Sequence, residues 1–307
     1  MVVTGDDLGP ALRRILDREG GPELFELLAG KLSGADLTSL LLEVFRRRAL
    51  RRTPAEVVRR YREDRFVLPA ATDVAALRRA EDALFAALPE GFEALALAPV
   101  VPLATHTAVA TVDPRKVIAT VRATEVAADP TNALALEAAV RRSRGDARVR
   151  LAASQRVIRA QRFDAPGALA HFQLFGLVTA DRDTGNRAFE RRELAEHLRF
   201  AVRALTAAGA RRPRLRLTAL DEEYAPLVEE MRASVDAEVL ADPGRTSGRG
   251  YYTGLCFKAH AEVGGEELEI GDGGFVDWTR KLTGNRKERL LISGFGVDRL
   301  TGPVPSS

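Results

Sequence analysis

The stretch Leu290–Leu300, LLISGFGVDRL, combines a run of apolar residues with two glycines and a late arginine. The apolar run predicts a buried strand, and Gly294 and Gly296 at its end would let a ligand or another backbone approach closely. Arg299 follows one helical turn later and could direct its guanidinium back toward a phosphate. The third glycine of a dinucleotide fingerprint is missing. By itself the pattern fits either a nucleotide site or simple packing between a strand and a helix.

A second stretch, Ser154–Val178, reads SQRVIRAQRFDAPGALAHFQLFGLV and predicts a long hairpin. Arg159 would lie on its first strand, and the loop around Pro166 and Gly167 would be free to fold over a ligand. Phe172 on the return strand offers a ring on which a base could stack. The alternative is a surface hairpin with solvated arginines and with Phe172 in the core.

A third stretch, Gly248–Trp278, reads GRGYYTGLCFKAHAEVGGEELEIGDGGFVDW. Tyr251 and Tyr252 are predicted to point to opposite faces of one strand, so that one lines a pocket while the other packs. Paired carboxylates beside a glycine turn could hold a metal near phosphates or receive an amino group, and the alternative is an exposed polar hairpin. These carboxylates are Glu267 and Glu269, predicted to share one face, and Asp272 and Asp277, predicted to flank a turn at Gly273–Gly274.

Composition excludes several classes of protein. The chain has 307 residues, 46 % of them hydrophobic, and a formal net charge of +3, so a packed globular core is expected. It contains no run of 18 apolar residues and no secretion signal, which argues against a membrane protein. Cys256 is the single cysteine, which excludes an internal disulfide framework and predicts a cytoplasmic location. The four histidines lack ligand spacing, so no structural zinc is expected.

The order of predicted elements indicates an α+β fold. Residues 1–70 predict a helical appendage, since leucines recur at helical spacing and Thr53–Glu56 forms a capping box. Pro69 and the small residues after it predict a hinge. Over residues 73–307 most strand pairs are joined by turns too short for a crossover, so we expect a mostly antiparallel sheet flanked by helices. Strands are predicted at 92–112, 116–126, 149–163, 170–179, 214–220, 251–262, 266–270 and 290–295, with helices at 73–88, 130–142, 187–208 and 222–237.

Together these segments resemble the catalytic core of class II aminoacyl-tRNA synthetases, most closely the histidyl type. GFEALALAPVV is similar to the first motif of that class, with Pro99 at the place of its dimer-interface proline. RVIRAQRF and HFQLFG are similar to the second motif, an F-R-x-E strand and an F-H-Q return strand, and SGFGVDRL is similar to the third, G-h-G-h-E/D-R. RGYYTGLCF and GDGGFVDWTRKLTG are similar to the histidyl-type pair R-G-L-D-Y-Y-T-G and G-G-G-R-Y-D-G-L. The resemblance spans residues 73–302.

The resemblance implies an ATP site, with Mg²⁺ as the expected ion. Arg159 would contact the α-phosphate, Arg299 the γ-phosphate, and Phe172 would stack on the adenine above a backbone opened by Gly294 and Gly296. It also implies an amino-acid site, in which either of two carboxylates would hold the ammonium group and other side chains would line the pocket. The carboxylates are Glu125 and Asp129, Gln173 would lie near the amino group or carboxyl, and Tyr251, Tyr252 and Thr253 would form the wall.

The sequence also departs from the family pattern. Gln161 stands where the second motif has glutamate, and Ser247 stands where the histidyl type has an arginine before its paired tyrosines. Arg245 or Arg249 could replace that arginine only if the loop shifts. Phe275–Val276 replaces the usual R-Y. The resemblance includes no anticodon-binding domain, so we expect a core without one.

Two functions stay open at this point, and they differ in whether the protein is an enzyme. The first is a synthetase paralog that binds ATP and activates a carboxylate, an amino acid for preference, as an acyl-adenylate for transfer to a small molecule, a protein or RNA. The second is a catalytically silent binding subunit with a protein partner, like the histidyl-synthetase-like subunit of ATP phosphoribosyltransferase. A homodimer is expected through the first motif. The arginine-rich stretch Arg46–Arg65 fits either RNA contact or a solvated, salt-linked helical surface.

Overall fold

The computed structural model describes residues 9–161 and 170–302. The chain divides into two compact units, Met1–Glu63 with Thr120–Ala123, and Asp64–Ala119 with Thr124–Ser307. The boundary predicted at residues 70–73 therefore falls inside the second unit. The segment 65–72, which contains the predicted hinge, is tied to the rest of that unit by hydrogen bonds that include Arg65 to Ala160 O at 2.9 Å, the His171 ring to Leu68 O at 2.7 Å, and Thr72 to Asp298 at 2.8 Å.

The first unit is helical, as predicted. Ser33 caps one helix by accepting a hydrogen bond from the Asp36 backbone N–H, and Thr53 and Glu56 form the predicted capping box. Arg46 and Arg47 both pair with Glu43, as in a salt-linked helical surface. Its helices are α1 (Pro10–Glu19), α2 (Gly21–Glu26), α3 (Gly34–Leu50) and α4 (Pro54–Glu63), with a π-helical turn at Leu27–Lys31.

The second unit is built on an eight-stranded sheet in the order β1-β4-β5-β10-β9-β8-β6-β7. Neighbours pair antiparallel except β1 with β4 and β6 with β7, which confirms the mostly antiparallel sheet. The strands of this sheet are β1 (Glu93–Ala94), β4 (Val149–Ile158), β5 (His171–Arg182), β6 (Arg211–Ala219), β7 (Glu238–Ala241), β8 (Thr253–Val263), β9 (Glu266–Val276) and β10 (Glu288–Gly296); β2 (Val100–Pro102) and β3 (Thr124–Val126) form a separate pair.

Helices cover both faces of the sheet. On one face, here the α7 face, rings of Phe175, Phe200 and Phe295 pack in the main core with centroids 5.7–5.9 Å apart. The opposite α6 face buries Leu134 and Trp278 in a second core. Full burial of one such side chain contributes about 2–3 kcal/mol. The helices on the α7 face are α5 (Val74–Ala86), α7 (Ala188–Ala207) and α8 (Ala225–Ser234), and those on the α6 face are α6 (Pro130–Arg144) and α9 (Trp278–Thr283).

Strand direction brings two distant motifs to the same edge of the sheet. β4 and β10 both run antiparallel to β5, which lies between them. Their carboxyl ends therefore lie at one edge, only two strand positions apart. Arg159 follows the end of β4 and Arg299 follows the end of β10, which makes this edge the place to examine for a site.

The predicted strand over residues 92–112 is wrong for most of its length. Within this segment only β1 and β2 pair as strands. Thr105–Val109 forms a π-helical turn that begins after Ala104, whose φ is 73°. The backbone N–H groups of Ala104 and His106 donate to the carboxylate of Glu125 instead of to a neighbouring strand. A buried acceptor thus competes successfully with sheet pairing.

The predicted turn at Gly273–Gly274 is also wrong, because both glycines lie inside β9. A Cβ at Gly273 would lie 2.5 Å from Ile292 O, and one at Gly274 would lie 2.7 Å from the Tyr252 ring. These glycines serve close approach of backbones and not a chain reversal. The strand β7 and the helix α9 were not predicted.

Candidate functional site

Arg159 is held at the carboxyl end of β4. Its backbone N–H donates to Ala170 O at 3.0 Å, which continues the hairpin ladder by one residue. Its guanidinium donates to Ala128 O at 3.1 Å and to Asp129 Oδ2 at 3.3 Å, and its carbon lies 5.2 Å from the centroid of the Phe172 ring. About a third of the side chain, 37 %, stays exposed, so the cation is positioned yet open to a ligand.

Phe172 and Gln173 point to opposite faces of the sheet. Phe172 pairs with Val157 and packs beside Leu174 on the α6 face, the side that Arg159 shares. The Gln173 amide is directed to the α7 face and donates to two side chains there. Gln173 therefore faces away from the surface that Phe172 offers, because adjacent strand residues alternate. Its partners are Ser154 Oγ at 2.9 Å and Glu81 Oε1 at 3.1 Å.

Arg299 lies in the 3₁₀ turn Val297–Thr301 that follows β10. Its guanidinium donates to Glu269 O, and its Cδ would lie 3.4 Å from a Cβ placed on Gly296, so the side chain passes over that glycine. Asp298 fixes the turn from the other side by accepting hydrogen bonds from the Thr72 hydroxyl at 2.8 Å and from a backbone N–H of β5. Arg299 itself is exposed.

Gly294 leaves the sheet surface open near the end of β10, the strand that Arg299 follows. It pairs with Gly176, where a Cβ would lie 2.9 Å from Pro130 of α6, so both glycines face the α6 side. A Cβ at Gly294 would meet only Leu174, at 4.0 Å. Unlike the glycines of β9, Gly294 is thus not required by tight packing. A backbone with no side chain packed tightly against it suits the approach of a phosphate or a ribose.

Asp129 and Tyr251 form a polar corner beside Arg159. Asp129 caps α6 by accepting hydrogen bonds from the Thr131 backbone at 2.9 Å and its hydroxyl at 2.7 Å. Burial raises the pKa of Tyr251 well above its usual value, and the nearby carboxylates of Asp129 and Asp272 raise it further. The nearby Arg159 acts on this pKa in the opposite direction, so the corner combines paired charges of both signs.

Of Arg245 and Arg249, the two candidates to replace the arginine that is missing at Ser247, Arg245 is the buried one. Its side chain is 3 % exposed and donates to Ser247 O at 2.9 Å, to Phe257 O at 3.0 Å and to Asp272 Oδ2 at 3.3 Å. Arg249 is exposed. Desolvation raises the pKa of Asp272, while the charge of Arg245 acts in the opposite direction. The loop therefore places the Arg245 guanidinium beside the Asp272 carboxylate of β9.

The tyrosines precede β8 and do not lie within it. The backbone N–H groups of Tyr251 and Tyr252 both donate to Gly248 O at 3.1 Å, which makes a turn, and their rings meet edge to face at 4.8 Å. The prediction that they alternate on a strand is wrong. Thr253 begins β8, and its hydroxyl donates to Phe275 O at 3.3 Å.

Glu125 does not reach this surface. It is 4 % exposed and accepts backbone hydrogen bonds from Ala104 and His106. The Ala128 N–H donates to His106 Nε2 at 3.0 Å, so His106 Nδ1 carries the ring proton and donates to Glu125 Oε1 at 2.5 Å. Of the two carboxylates expected to bind an ammonium group, only Asp129 faces the site. Glu125 positions the backbone of Ala128, which in turn holds Arg159.

Thr131 and Arg245 were not predicted as primary site residues. The sequence signal for Thr131 was its place two residues after the helix cap Asp129, whereas nothing local singled out Arg245. Over residues 9–161 and 170–302, no group of three His, Cys, Asp or Glu side chains is arranged to hold a metal ion. Asp277, which the sequence suggested as one of the carboxylates that could hold a metal, pairs with Arg280 and Lys281. No helix in these ranges is long and apolar enough to span a membrane.

Comparison with known proteins adds fold-level evidence. No family model and no curated protein matches the sequence. Among solved structures, an ATP phosphoribosyltransferase regulatory subunit/histidyl-tRNA synthetase from Bacillus halodurans superposes with a TM-score of 0.58 at 14 % identity, over 78 % of this chain and 83 % of that one. The apo histidyl-tRNA synthetase of S. aureus gives a TM-score of 0.58 at 13 % identity, over 76 % and 72 %.

The pyrrolysyl-tRNA synthetase of Desulfitobacterium hafniense gives a TM-score of 0.50 at 17 % identity, over 80 % of this chain and 73 % of that one. Identities this low speak to architecture alone. The three superpositions agree with one another on a single fold. The chain therefore has the catalytic-core fold of the class II aminoacyl-tRNA synthetases.

Proposed function

We propose that this protein binds ATP and activates a carboxylate, that of an amino acid, as an acyl-adenylate for transfer to an acceptor other than tRNA. The observation that carries the proposal is the arrangement at one sheet edge. Arg159 and Arg299, 140 positions apart in sequence numbering, follow β4 and β10, which run in the same direction on either side of β5, and the Gly294 backbone near the end of β10 is not covered by tight packing.

The nucleotide would lie across the α6 face at the end of β5. Phe172 offers its ring for the adenine, and Arg159 beside it would contact the α-phosphate. Arg299 extends from the next strand and would contact the γ-phosphate. Arginine suits both places because its planar guanidinium makes paired hydrogen bonds to phosphate oxygens.

The acid would lie beside this nucleotide, toward β8 and β9. Asp129, which is partly exposed, would receive the ammonium group, and the Tyr251 hydroxyl would limit the pocket. Asp272 and the buried Arg245 form a paired charge at the β9 side, where the substrate side chain would end. A polar or cationic substrate side chain fits this end better than an apolar one, because a buried ion pair needs hydrogen-bonding partners.

The residues present fit Mg²⁺ only in part. Magnesium in nucleotide sites is held by phosphates, waters and one or two carboxylates. In the part of the chain that the structure describes, no group of three His, Cys, Asp or Glu side chains is arranged to hold a metal ion, so phosphates and water would supply most of its ligands. The ion would neutralise charge on the phosphates.

The chemical step needs little from the protein beyond position and charge. The carboxylate oxygen attacks the α-phosphorus, the bond to the bridging oxygen breaks, and pyrophosphate leaves with that electron pair. Arg159 would neutralise negative charge that develops at the α-phosphate, and Arg299 would hold the departing pyrophosphate. Asp129 would orient the acid through its ammonium group.

Exchange of labelled pyrophosphate into ATP tests the proposal directly. The protein is incubated with Mg²⁺, ATP and each common amino acid in turn, and exchange is expected with at least one. Arg159→Ala and Arg299→Ala should each weaken ATP binding at least tenfold in calorimetry, since a hydrogen bond to a charged group contributes about 1.5–3 kcal/mol.

Arg211→Ala provides the matched control, because Arg211 is exposed at the start of β6, far from this edge in sheet order. It should leave ATP affinity unchanged. Absence of ATP binding at millimolar concentration in the unaltered protein would refute the proposal. An equal loss of affinity in all three variants would show that general positive charge, and not the arrangement of Arg159 and Arg299, explains binding.

A second candidate function is a regulatory or binding subunit without catalysis, acting with a protein partner. The observation that favours it is Gln173, whose amide turns away from the nucleotide side to Ser154 and Glu81. This candidate predicts ATP or amino-acid binding without pyrophosphate exchange for any acid. Recovery of a stoichiometric partner from the native cell would support it, and exchange activity would exclude it.

Self-association is part of the proposal. Four apolar side chains on the α6 side are exposed to solvent. One belongs to β2, one to the loop after β2, one to α6 and one to α9. We expect a homodimer through this surface, and light scattering coupled to gel filtration measures it. Leu103→Glu should convert the dimer to a monomer, whereas a monomeric unaltered protein would contradict the expectation. The four are Val100, Leu103, Val140 and Leu282, 36–54 % exposed.

A further inference from the structure

A second polar cleft lies at the opposite edge of the sheet, away from Arg159 and Arg299. It is formed where β5 ends, where β10 begins and where α7 starts, and its volume is about 640 Å³. That volume suits a small molecule. Its lining is almost entirely polar, and the residues that matter below are Asp183, Asn186, Arg187, Glu190, Tyr224 and Arg289.

Glu190 is the most informative residue in this cleft. Only 4 % of the residue is exposed, and its Oε2 makes no hydrogen bond with any described part of the chain. Its other oxygen lies 3.4 Å from Arg289 Nε. A buried carboxylate oxygen without a donor is costly, and such groups are rare unless something else supplies the donor. The missing partner is a hydrogen-bond donor, and a cation suits it best.

The amino end of α7 provides the complementary charge. This helix spans 20 residues, and Arg187 at its N-cap makes no side-chain cap. Across the described chain, the N–H groups of Phe189 and Glu190 find no acceptor, since the bonds at this end run from Ala188 to Gly185 and from Arg191 to Arg187. Free N–H groups at the start of a long helix attract an anion.

The arginines around the cleft are held in place by their own ion pairs. Arg187 pairs with Glu223 at 2.6 Å and lies 4.8 Å above the Tyr224 ring, and Arg289 pairs with Asp183 at 2.5 Å. Pairing of this kind orients the guanidinium groups and still leaves N–H groups for a ligand, because each has five. The cleft therefore offers both an anion site and a cation site within one small volume.

We infer that this cleft binds a free α-amino acid as a ligand separate from the adenylation site. The α-carboxylate lies at the amino end of α7 near Arg187, and the α-ammonium donates to Glu190 Oε2. A zwitterion satisfies both features at once, whereas inorganic phosphate would leave Glu190 without a donor and a simple amine would leave the helix end without an acceptor.

Calorimetric titration of the full chain with each common amino acid tests the inference, in the absence of ATP. At least one amino acid should bind, and Glu190→Gln should weaken that binding at least tenfold. Glu222→Gln, which changes an exposed carboxylate in the adjoining 3₁₀ turn, is the control and should leave the affinity unchanged. Asp129→Asn removes the carboxylate proposed to bind the ammonium group in the adenylation site, so binding that persists in this variant belongs to the cleft.

A measurement on the unaltered protein covers the case in which Glu190→Gln does not fold. The N-acetyl derivative and the amide of the bound amino acid should each fail to compete at a hundredfold excess, because each lacks one of the two charges. The inference is overturned if no amino acid binds at 10 mM, if either derivative competes fully, or if Asp129→Asn abolishes binding while Glu190→Gln does not. Loss of ATP binding in Arg299→Ala with retained amino-acid binding here would separate the two sites.

Discussion

Glu125 and His106 form a buried pair, with His106 Nδ1 2.5 Å from Glu125 Oε1 and both residues at most 4 % exposed. Glu125 fixes the orientation of the His106 ring, and His106 Nε2 in turn accepts a hydrogen bond from the Ala128 N–H. Ala128 O then receives a hydrogen bond from Arg159. A residue that the sequence suggested as a substrate ligand thus acts as the first support of a positioned arginine.

Glu125→Ala is expected to destabilise the fold by about 3–4 kcal/mol. The change leaves three donors without an acceptor: the backbone N–H of Ala104, and the buried backbone N–H and ring N–H of His106. Urea denaturation measures the loss. Glu137→Ala on α6, a partly exposed carboxylate, is the control and should cost under 1 kcal/mol. Equal losses in both variants would show that Glu125 has no special structural role.

Glycines of β9 and β10 should respond differently to the same added methyl group. Gly271→Ala places Cβ 2.3 Å from Gly294 O, so two strands must separate, and a loss of about 3 kcal/mol is expected. Gly294→Ala meets nothing closer than 4.0 Å and should change stability by less than about 1 kcal/mol.

ATP affinity distinguishes the two glycine variants further. If the surface of Gly294 admits the nucleotide, Gly294→Ala should weaken ATP binding several-fold in calorimetry while its melting temperature stays near that of the unaltered protein. Unchanged affinity in Gly294→Ala would argue that the nucleotide does not approach this backbone.

Arg245 and Arg249 are a matched pair for mutation, since they lie four residues apart in one loop. Arg245→Ala removes a buried cation and leaves Asp272 and two carbonyl groups without their donor, so a loss of about 3 kcal/mol is expected. Arg249→Ala changes an exposed side chain and should be neutral. Thermal unfolding followed by circular dichroism compares them, and the opposite ranking would exclude Arg245 as the structural arginine of the loop.

His197 should make the protein sensitive to acid. Burial, followed by the charges of Arg150 and Arg148, lowers the pKa of His197 to about 3, against an ordinary value of 6.5. The folded state therefore binds the proton less readily than the unfolded state. Stability is complete above about pH 6.5 and falls as the pH decreases toward 3, by up to about 1.4 kcal/mol per pH unit.

Urea denaturation between pH 7.5 and pH 4.5 measures this dependence. His197→Gln removes the titrating group and should reduce the slope by about one proton, although it is expected to lower stability at pH 7.5 because the ring bridges Thr179 and Ser293 at 3.0 and 2.7 Å. His171→Gln serves as the comparison, since it replaces a partly exposed histidine at the start of β5. An unchanged slope in His197→Gln would contradict the assignment.

Local patterns were sufficient to predict a large part of the fold. The helix cap at Asp73, the helix beginning at Pro130 and the apolar run of β10 are properties of a few neighbouring residues, and the structure confirms each of them. The same holds for the mostly antiparallel sheet, because short connections between strands permit little else. The position of Arg299 after β10 also follows from local sequence, whereas Arg159, predicted on the first strand of the hairpin, lies one residue past the end of β4.

What the sequence by itself determined, then, was which segments become strands and helices and where the chemistry-bearing side chains lie along them. Only the tertiary structure decided which of these side chains meet. Gln173 and Phe172 are adjacent in sequence yet face opposite sides of the sheet, and Arg245 reaches Asp272 across a loop. Gly273 lies within a strand where Ile292 O of the neighbouring strand leaves no room for a Cβ. The physical reason is that strand register and burial depend on partners far along the chain, so a local window cannot contain them.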